Sequence, residues 1–578
     1  MNTTTLILKV WMAAACFGGV VGLSTSAASE TGAVPDRADQ VRPLAVGADL
    51  PALTLRNSEN QGVDLNAAIR NTPTVLIFYR GGWCPYCTAH LGQLQTIDAD
   101  LRRLGYQILA ISPDRPEVLR ELPDDADVSY TLLSDSRMEA AKAFGIAFRV
   151  EDETVKRYKG FGIDLEEASG HDHHLLPVPA VFIIGTDEVI RFSYVNSDYK
   201  VRLEPKRVLE AAKAARDKTA QRVAYVLARV EAHSFHPVRN GFTYDRRLNT
   251  HGVADLNTDD WRVRTLAVRD LVRLGNGTAS DLIAALEHTN PHVRHVAAMT
   301  LGVLQVDEAI DALEKTLLSD KDSVVRSQAA IALRQIGRQR ALTALRRAHA
   351  EDSSRDVRHQ AELAVYAVEN GYAATPELAE AYRDLEASRF NQIRVGSPAV
   401  DFELPDTEGN RWRLSDFRGK KPVVLIWIFA DWCPVCHGEF HELIELRQAF
   451  KDADIEVATL QCHDIFPARV MVGKEVEPDY WFSDISVKEA YTDRIWWPHL
   501  ADRAGGVAAI YGVQPMAFVV HSEWINRPSV VIVDKEGIVR FAYYGTFWGD
   551  RPTIRELIDM VRNRHYEFTS DKRLAVHD

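Results

Sequence analysis

Residues 78–87 of the chain are FYRGGWCPYC, and residues 427–437, about 350 positions later, are WIFADWCPVCH. Each stretch overlaps the end of an apolar run, TVLIFY in the first case and PVVLIWIF in the second. An amphipathic stretch follows each one, and this order is typical of a buried strand that leads into a helix. In both places, therefore, a pair of cysteines separated by two residues stands where a strand ends and a helix begins.

This position suits thiol–disulfide exchange, which needs an attacking thiolate and a second thiol that resolves the mixed disulfide. Cys84 and Cys433 are predicted to lie at helix N-termini, where unpaired N–H groups and the helix dipole stabilise a thiolate. Cys87 and Cys436 follow one turn later and face them. The proline after each first cysteine fits the first helical turn because its φ is fixed and it has no N–H group. We therefore predict that Cys84 and Cys433 attack and that Cys87 and Cys436 resolve.

Strand and helix patterns alternate around both pairs. Residues 43–218 contain the strand candidates TVLIFY, YQILAIS, LLPVPAVFIIG and VIRFSYV, followed by a long helix pattern. Residues 394–568 repeat this plan with PVVLIWIF, IEVATLQ, RPSVVIVDKEG and IVRFAYYG. The pattern predicts an α/β sheet in each module, with the sulfurs at the carboxyl edge of the sheet.

The second module differs from the first by an insertion of about 60 residues before its last two strands. We predict that this insertion is a packed subdomain, with a substrate groove over the cysteines as the alternative. Its tryptophans are Trp481, Trp496, Trp497 and Trp524.

An internal repeat lies between the two modules, and a Val-Arg dipeptide marks each unit. The dipeptides are spaced by 30, 32 and 32 residues, at Val263-Arg264, Val293-Arg294, Val325-Arg326 and Val357-Arg358. Three residues after each arginine stands an alanine, namely Ala267, Ala297, Ala329 and Ala361. Seven residues after it stands Leu271, Leu301, Leu333 or Val365. These offsets share one helical face, and the pattern resembles HEAT repeats, which implies an all-α solenoid over residues 250–375.

The flanking modules resemble a known fold family. WCPVC at a strand-to-helix step, with Pro528 opening a later strand, resembles the thioredoxin fold of exported thioredoxin-like proteins and redoxins. VGADLPALTL, FYRGGWCPYC, LPVPAVFII and YVNSDYKVR resemble the AhpC/TSA (peroxiredoxin-like) family. The resemblance implies that Pro179 and Pro528 are cis prolines that position substrate beside the cysteines. We therefore predict a multidomain chain in which two α/β thioredoxin-fold modules are joined by an all-α HEAT-like solenoid.

The chain departs from these families at several positions. Peroxiredoxins carry Thr or Ser three residues before the reactive cysteine, where this chain has Gly81 and Ala430. They also carry a later arginine, for which Arg527 is the candidate in the second module, while Arg80 is expected to supply positive charge in the first. The buried carboxylate of thioredoxin would fall at Phe78 and Trp427, so we predict that both modules lack that proton acceptor.

The first 28 residues have the outline of a secretory signal peptide. A single Lys9 precedes the apolar run VWMAAACFGGVVGL, and small residues follow at a cleavage site. An uncleaved membrane anchor is the alternative, and MAAAC faintly resembles a lipoprotein cleavage box around Cys16. Removal of this leader leaves five cysteines, which suits redox chemistry better than a disulfide framework. We expect a periplasmic or secreted protein.

Overall composition restricts the partners. The formal net charge of −13 argues against nucleic acid and against an anionic membrane. After residue 30 no stretch is long and apolar enough to span a bilayer, so no membrane contact is expected after cleavage. The expected partners are protein thiol or disulfide clients, or a redox partner protein, with the solenoid as a further binding surface or as a spacer. No cofactor is implied.

Other interpretations of these residues remain open. A CxxC pair can be half of a zinc site, CPVCH with His437 matches a haem attachment signature, and the pairs can be inert structural disulfides. His173 and His174 stand in HDHH before Pro179, where a solvated loop is the first interpretation, and a proton shuttle over Cys84 or a metal site are the alternatives. Cys462 ends a strand on the same sheet edge as Cys433 and is either a third participating thiol or a buried bystander.

The pattern as a whole predicts an exported thiol–disulfide oxidoreductase with two CxxC sites. A thiol peroxidase that uses Cys84 or Cys433 is the first alternative. A non-catalytic interaction protein, in which the solenoid binds partners, is the second.

Overall fold

The structure is a computed structural model that describes residues 34–120, 129–233, 260–475, 491, 493–516, 518–545 and 551–568. The predicted signal peptide and Trp481 lie outside these residues. Within the described ranges no helix combines the length and the apolar character that a membrane span requires.

The first module is built on a twisted sheet with the strand order β2-β1-β5-β4-β3-β8-β9 among the described residues. Its strands are β1 (Thr54–Arg56), β2 (Gly62–Asp64), β3 (Thr74–Phe78), β4 (Gln107–Ser112), β5 (Thr131–Ser134), β6 (Ala147–Arg149), β7 (Leu175–Pro177), β8 (Ala180–Ile184) and β9 (Ile190–Val195). Its helices are α1 (Leu65–Asn71), α2 (Pro85–Arg103), α3 (Glu139–Ala143), α4 (Asp152–Gly160), α5 (Leu165–Ser169) and α6 (Pro205–Glu231). Strands β6 and β7 form a separate hairpin.

Strand β3 lies inside this sheet, between β4 and β8, and every one of its residues is buried. It runs parallel to β4 and antiparallel to β8. Val75 and Ile77 pack with α2 and α6 on one face, whereas Leu76 and Phe78 pack with α1 and α3 on the other. A strand that is covered on both faces needs a continuous apolar run, which explains TVLIFY.

The second module repeats this plan with the strand order β14-β13-β12-β17-β18 in its described part. Its strands are β10 (Glu403–Pro405), β11 (Arg411–Arg413), β12 (Val423–Trp427), β13 (Glu456–Gln461), β14 (His499–Ala501), β15 (Phe518–Val520), β16 (Glu523–Ile525), β17 (Ser529–Val533) and β18 (Val539–Tyr544). Its helices are α15 (Pro434–Glu445), α16 (Arg447–Asp452), α17 (Ile465–Met471), α18 (Gly506–Tyr511) and α19 (Ile554–Asn563). Strands β15 and β16 form a hairpin outside the main sheet.

The central region is a stack of antiparallel helices. They are α7 (Asp260–Leu274), α8 (Ala279–Ala285), α9 (Pro291–Val303), α10 (Ile310–Ser319), α11 (Ser323–Ile336), α12 (Leu342–Glu351), α13 (Arg355–Glu369) and α14 (Pro376–Arg383). The repeated alanines are buried, and at Gly302 on α9 an added Cβ would lie only 2.7 Å from the Ala332 Cα of α11. Small residues thus allow the stacked helices to approach closely. The predicted fold class, two α/β thioredoxin-fold modules joined by an all-α HEAT-like solenoid, is confirmed.

The arginine of each Val-Arg dipeptide has a structural role in the middle of the solenoid. Arg294 donates two hydrogen bonds to Asp320, of 2.7 and 2.8 Å. Arg326 makes the same pair of contacts with Asp352, at 2.8 and 2.9 Å. Bidentate arginine–carboxylate pairs fix geometry as well as adding stability. In the second and third units, therefore, the repeated arginine ties its helix to the segment that precedes the next unit.

The first repeat is different because its arginine meets the second module. The Arg264 guanidinium lies 3.3 Å from the ring centroid of Trp524, a residue of β16. The Trp524 indole N–H in turn faces His295 of α9 at 3.4 Å. Trp524, from the predicted insertion, thus packs on the solenoid instead of lining a groove.

The solenoid shares its apolar core with the second module. The same cluster that contains the buried leucines and alanines of the repeats also contains residues of the second module, namely Cys462, Ala504, Ala509, Met516, Val519 and Trp524. The other end of the solenoid packs on the first module, where α6 contacts both α2 and α7. The two redox modules are therefore anchored on one helical body.

Candidate active sites

The first pair of cysteines lies where the pattern predicts. Strand β3 ends at Phe78, and α2 begins at Pro85 with Cys84 as its N-cap. The Cys87 N–H donates to the Cys84 carbonyl oxygen at 2.9 Å, which places the second thiol one turn into the helix. Both side chains are buried in the core between β3, α2 and α6, and both are free thiols.

Two arginines surround these sulfurs. The backbone N–H of Arg80 and the guanidinium of Arg202 both donate to the Cys87 Sγ, each at 3.4 Å. The pKa of Cys84 is lowered to about 6, first because the Cys87 thiol donates to it, and further because the charges of Arg80 and Arg202 favour its thiolate. The same hydrogen bond raises the pKa of Cys87, and burial raises it further. This supports the prediction of an attacking Cys84 and a resolving Cys87.

The Arg80 side chain is held by aromatic rings. Its guanidinium lies 4.2 Å from the ring centroid of Tyr199, with Trp83 and Tyr158 at 5.4 and 5.6 Å. It also donates to the Tyr158 hydroxyl at 2.6 Å. Arg80, Tyr158, Tyr199 and Pro179 border a cavity of about 500 Å³. The arginine therefore brings a fixed positive charge to the side of the cavity nearest the cysteines.

A buried carboxyl group is also present in the first module. Asp114, just after β4, accepts hydrogen bonds from the Gly82 N–H at 2.8 Å and from the Ser112 hydroxyl at 2.9 Å. Burial raises the pKa of Asp114 to about 6, and the Cys84 charge raises it further. The prediction that the first module lacks a proton acceptor is therefore wrong, because the neighbouring strand supplies the carboxyl group that Phe78 cannot.

The second pair occupies the equivalent place, between β12 and α15, with Cys433 as the N-cap. Both side chains are 0% exposed. The Phe429 N–H donates to the Cys436 Sγ at 3.3 Å. The buried Arg551 guanidinium lies 3.9 Å from that sulfur, and it forms an ion pair of 2.6 Å with Glu439.

The thiol pKa values of the second pair run opposite to the sequence-based prediction. Burial raises the pKa of Cys433 well above its usual range, and the hydrogen bond that its thiol donates to Cys436 raises it further. Burial also raises the pKa of Cys436, but this hydrogen bond, Arg551 and the Phe429 N–H outweigh it and lower the pKa to about 6. The thiolate is therefore favoured at Cys436, not at Cys433, because the donors converge on the second sulfur.

Arg202 and Arg551 are equivalent residues that sequence reasoning missed. Each stands seven positions after the last residue of the final strand of its sheet, Val195 in β9 and Tyr544 in β18. Each directs its guanidinium to the second sulfur of the nearby pair. The equal offset was a usable signal, because the two modules repeat one plan.

The two predicted prolines lie beside the cysteines, but in trans. Pro179 directly precedes β8 and Pro528 directly precedes β17, the strands that pair with β3 and β12. The carbonyls of Pro179 and Pro528 accept hydrogen bonds from Asn196 and Gly545. No peptide bond in the described residues is cis, so the implied cis geometry is wrong. The trans form is the one that an X–Pro bond favours, by about 0.5–1 kcal/mol.

His173 and His174, the candidates for a proton shuttle, make their contacts within their own loop region of the first module. His173 contacts the Ser136 carbonyl oxygen at 2.8 Å through Nε2 and accepts from the Leu175 N–H at 3.0 Å through Nδ1. His174 lies 2.8 Å from the Glu166 carboxylate. These contacts tie the loop to its own module. The described residues contain no group of three or more metal-ligating side chains suited to a metal ion.

Cys462 lies just after β13, but it packs away from Cys433. It belongs to the solenoid cluster, whereas Cys433 and Cys436 belong to a separate core. Burial raises the pKa of Cys462 to about 12, and the nearby Asp502 raises it further. A thiol that stays protonated is a poor nucleophile. The prediction of a third participating thiol at Cys462 is therefore not supported, and the alternative of a buried bystander fits the structure.

Arg527 stands in the loop before β17, where its carbonyl oxygen accepts from the Ser529 hydroxyl at 3.1 Å. The guanidinium that contacts the second pair is that of Arg551. A positive charge therefore reaches this pair from Arg551, whose position differs from the arginine position of peroxiredoxins that Arg527 matches.

The histidine of CPVCH is engaged in the protein. The His437 Nδ1 lies 2.6 Å from the Tyr491 hydroxyl, and Nε2 contacts the Asp431 carbonyl oxygen. A covalent haem needs this ring as an axial ligand and both sulfurs free for thioether bonds. We therefore expect the purified protein to carry no haem, as measured by absorption after denaturation. A Soret band that survives denaturation would contradict this arrangement of the second module.

Comparison with known proteins places these sites in a family. The model of the AhpC/TSA family matches residues 46–193 and 395–542, and the model of HEAT repeats matches residues 253–334 and 279–365. The chain is 34% identical over 106 residues to the putative peroxiredoxin bcp of Haemophilus influenzae, a match that spans 18% of this chain and 68% of that protein.

Two further relatives are similar over comparable lengths. The thiol-disulfide oxidoreductase ResA of Geobacillus kaustophilus is 31% identical over 156 residues, which span 27% of this chain and 71% of that protein. The crystal structure of the peroxidoxin BcpB from Mycobacterium tuberculosis is 18% identical, covering 30% of this chain and 97% of that one, with a TM-score of 0.24. The family model matches at both ends of the chain, over each of the two redox modules. The chain belongs to the AhpC/TSA family.

Proposed function

We propose that the chain is a thiol–disulfide oxidoreductase that uses two CxxC sites, Cys84–Cys87 and Cys433–Cys436. The observation that supports this most is the repeated arrangement of each pair. In each pair one thiol has a pKa lowered to about 6, Cys84 in the first and Cys436 in the second. In each pair a guanidinium also lies against the second sulfur, from Arg202 or Arg551. Positive charge and helix N–H groups lower a thiol pKa, which is the condition for exchange at neutral pH.

The chemistry is a pair of exchange steps. A thiolate attacks one sulfur of a client disulfide, a mixed disulfide forms, and the other client sulfur leaves as a thiolate that takes up a proton. The other cysteine of the pair then attacks the mixed disulfide, which releases the reduced client and leaves an intramolecular CxxC disulfide. A client dithiol reverses these steps. The loops at Pro179 and Pro528 are proposed to position the client.

The test is to trap the mixed disulfide in the full chain. Cys87→Ser and Cys433→Ser retain the sulfurs at which the thiolate is favoured, Cys84 and Cys436. Incubation with a peptide disulfide should give a stable mixed disulfide at Cys84 in the first variant and at Cys436 in the second, as located by mass spectrometry. Cys84→Ser and Cys436→Ser are the matched controls and should trap far less. The absence of any trapped adduct in all four variants would refute the function.

We further propose an oxidising, exported setting, either periplasmic or secreted. The support is the leader-like sequence of the first 28 residues together with CxxC chemistry. The proposed partners are protein thiol or disulfide clients, or a redox protein that exchanges electrons with one of the two pairs. The solenoid face that packs on the second module acts as an internal anchor, so any outside partner would use another face.

A thiol peroxidase is the second candidate, because one relative is named a putative peroxiredoxin. The site around Gly81 argues against rapid peroxide reduction. Gly81 has a φ of +142°, and an added Cβ would overlap the Trp83 indole and lie 2.9 Å from the Asp114 carboxylate. The hydroxyl residue that peroxiredoxins have at this position therefore does not fit here.

We expect peroxidase activity at the first pair to be weak. Losing one positioned hydrogen-bond donor typically costs on the order of 10²–10³ in rate. Stopped-flow measurement with hydrogen peroxide should show slow oxidation of Cys84. Rapid and stoichiometric sulfenic acid at Cys84 would show instead that another group orients the peroxide.

A further inference from the structure

A cluster of buried ionisable side chains lies between the solenoid and the second CxxC pair. None of its members is a cysteine, and the exchange steps described above do not use them. Asp431, His463 and Glu523 come from the second module, whereas Arg334, Asp356 and His359 come from the solenoid. We call this set the interface cluster.

On the module side, the interface cluster is joined directly to the CxxC sequence. Asp431 and Trp432 are the two residues that precede Cys433. The Trp432 indole N–H donates to the Glu523 carboxylate at 2.7 Å. The other oxygen of Glu523 lies 3.3 Å from the His463 Nε2. Two carboxyl groups are therefore held next to the residue that leads into the second pair.

On the solenoid side, two helices face these carboxyl groups. His359 of α13 places its Nε2 3.9 Å from the Asp431 Oδ2, and both side chains are buried. Arg334 of α11 is also buried, and its Nε has no hydrogen-bond partner among the described residues. The charges that act on Arg334 are those of Asp464, Glu523 and Asp431. The solenoid thus brings a cation and an imidazole to the acidic side of the second module.

The turn between β15 and β16 completes the enclosure. The His521 ring packs edge-on against Trp432, with centroids 4.7 Å apart, and its Nδ1 lies 3.4 Å from the Asp356 carboxylate. The Ser522 hydroxyl donates to the same carboxylate at 3.2 Å. His521 and Ser522 both have positive φ, 47° and 58°, in a turn without glycine. Contact with the solenoid thus holds a costly backbone conformation in place.

Burial raises the pKa of both carboxyl groups toward neutral pH. Burial raises the pKa of Asp431 to about 6, and Glu523 raises it further, while His359 and His463 oppose the change. Burial raises the pKa of Glu523 to about 7, against the hydrogen bond from Trp432 and the charge of Arg334. Burial lowers the pKa of both His359 and His463. The charge of the cluster therefore depends on the balance between these carboxyls and Arg334.

We propose that the solenoid forms part of the second redox site, in which Arg334 and His359 are positioning residues that keep the Asp431–Glu523 carboxyl pair ionisable beside Cys433. This inference rests on the proposed redox function of the second pair. When a client dithiol reduces the disulfide, each sulfur of the pair gains an electron and the thiols that form take up protons. The carboxyl pair, which Trp432 joins to Cys433, supplies or accepts such a proton. Arg334 and His359, which face the carboxyl pair across the interface, then set the pH at which the pair gives up or takes up that proton.

The experiment measures the reduction potential of Cys433–Cys436 against pH in the full chain. The wild-type curve should change slope near pH 6, where the Cys436 thiol titrates, and should show a further break between about pH 6 and 7, where the carboxyl pair titrates. Arg334→Met removes a cation, which destabilises the carboxylates and raises their pKa. The break should therefore move to higher pH, by on the order of one unit. Arg334→Lys should retain most of the wild-type position.

Two internal comparisons make the result specific. The Cys84–Cys87 pair in the same molecule should keep its own curve in every variant. Arg338→Met, which removes an exposed solenoid arginine that pairs with Asp307, should leave both curves unchanged. If Arg334→Met does not fold, Glu523→Gln decides, because loss of the charge that raises the pKa of Asp431 should move the break to lower pH.

An unchanged break in both Arg334→Met and Glu523→Gln would overturn the inference, as would equal shifts at both pairs. A second pair that never forms a disulfide would instead overturn the proposed function, and this inference with it.

Discussion

Replacing Arg551 by methionine should slow alkylation of the second pair at pH 7 by on the order of tenfold. The guanidinium lies 3.9 Å from the Cys436 Sγ and pairs with Glu439 at 2.6 Å. Its removal takes away a charge that favours the Cys436 thiolate and leaves a carboxylate that opposes it. The pKa of Cys436, now about 6, should therefore rise, and the rate profile should move to higher pH. Alkylation rates resolved by cysteine in a mass spectrometer measure this.

The variant also has a cost in stability that a control must separate. Breaking one partner of a buried ion pair typically costs about 3–5 kcal/mol. Arg551→Met with Glu439→Gln removes both charges, so it should recover stability while alkylation stays slower than in the wild type. Arg202→Met is the matched variant for the first pair and should leave the second unaffected. An Arg551→Met protein that folds and keeps the wild-type rate profile would show that this arginine does not control the thiolate.

The first pair should be the stronger oxidant of the two. Arg80 and Arg202 both favour the Cys84 thiolate. Arg80 donates to the Tyr158 hydroxyl, and Arg202 donates to the Val201 carbonyl oxygen as well as to the Cys87 sulfur. In the second module the charge of Arg551 is offset by Glu439. Stabilising the reduced form raises the potential of a pair. We expect a difference of about 30 mV or more, which is about tenfold in the exchange equilibrium, so that electrons flow from the second pair to the first.

Both potentials can be measured in one molecule. The full chain is equilibrated in graded dithiol buffers, quenched, and alkylated, and the reduced fraction of each pair is counted by mass spectrometry. The first pair should become reduced under less reducing conditions than the second. Reduction of the second pair first, or at the same potential, would refute the order. A Cys84→Ser chain whose second pair still turns over on a client would show independent sites instead of a relay.

Local pattern was sufficient to predict the frame of both modules. An apolar run that ends in CxxC, followed by an amphipathic stretch, specifies strand β3 and helix α2 because each feature depends on neighbours in sequence. The Val-Arg repeat specified the solenoid for the same reason, since the arginine, alanine and leucine of each unit share one helix face. These features need no knowledge of contacts between distant segments.

The chemistry around the sulfurs was harder to predict because it comes from distant segments. Arg202 and Arg551 follow the last strands of their sheets and reach back more than 100 positions to the second sulfur. Asp114 supplies a carboxyl group that senses the Cys84 charge, and it follows β4, the strand beside β3, so that the position of Phe78 alone does not reveal it. No periodicity marks such residues.

The interface of the solenoid with the second module was not predicted for a related reason. Cys462 was placed correctly at the end of a strand, but its environment depends on which helices pack there. The sequence places Trp524 in the insertion but does not indicate what it contacts. In the structure it contacts the Arg264 guanidinium of the first repeat. Contacts between modules follow from shape and burial, which a single sequence does not display.

The most direct test of two CxxC redox sites in one chain is the disulfide map of the protein under graded reduction. Alkylation of free thiols, followed by peptide mass mapping, gives both the pairing and the order of opening. We expect two reducible disulfides, Cys84–Cys87 and Cys433–Cys436, with Cys462 remaining a free thiol throughout. A disulfide between the two modules, or cysteines of either pair that stay free under oxidising conditions, would contradict this expectation.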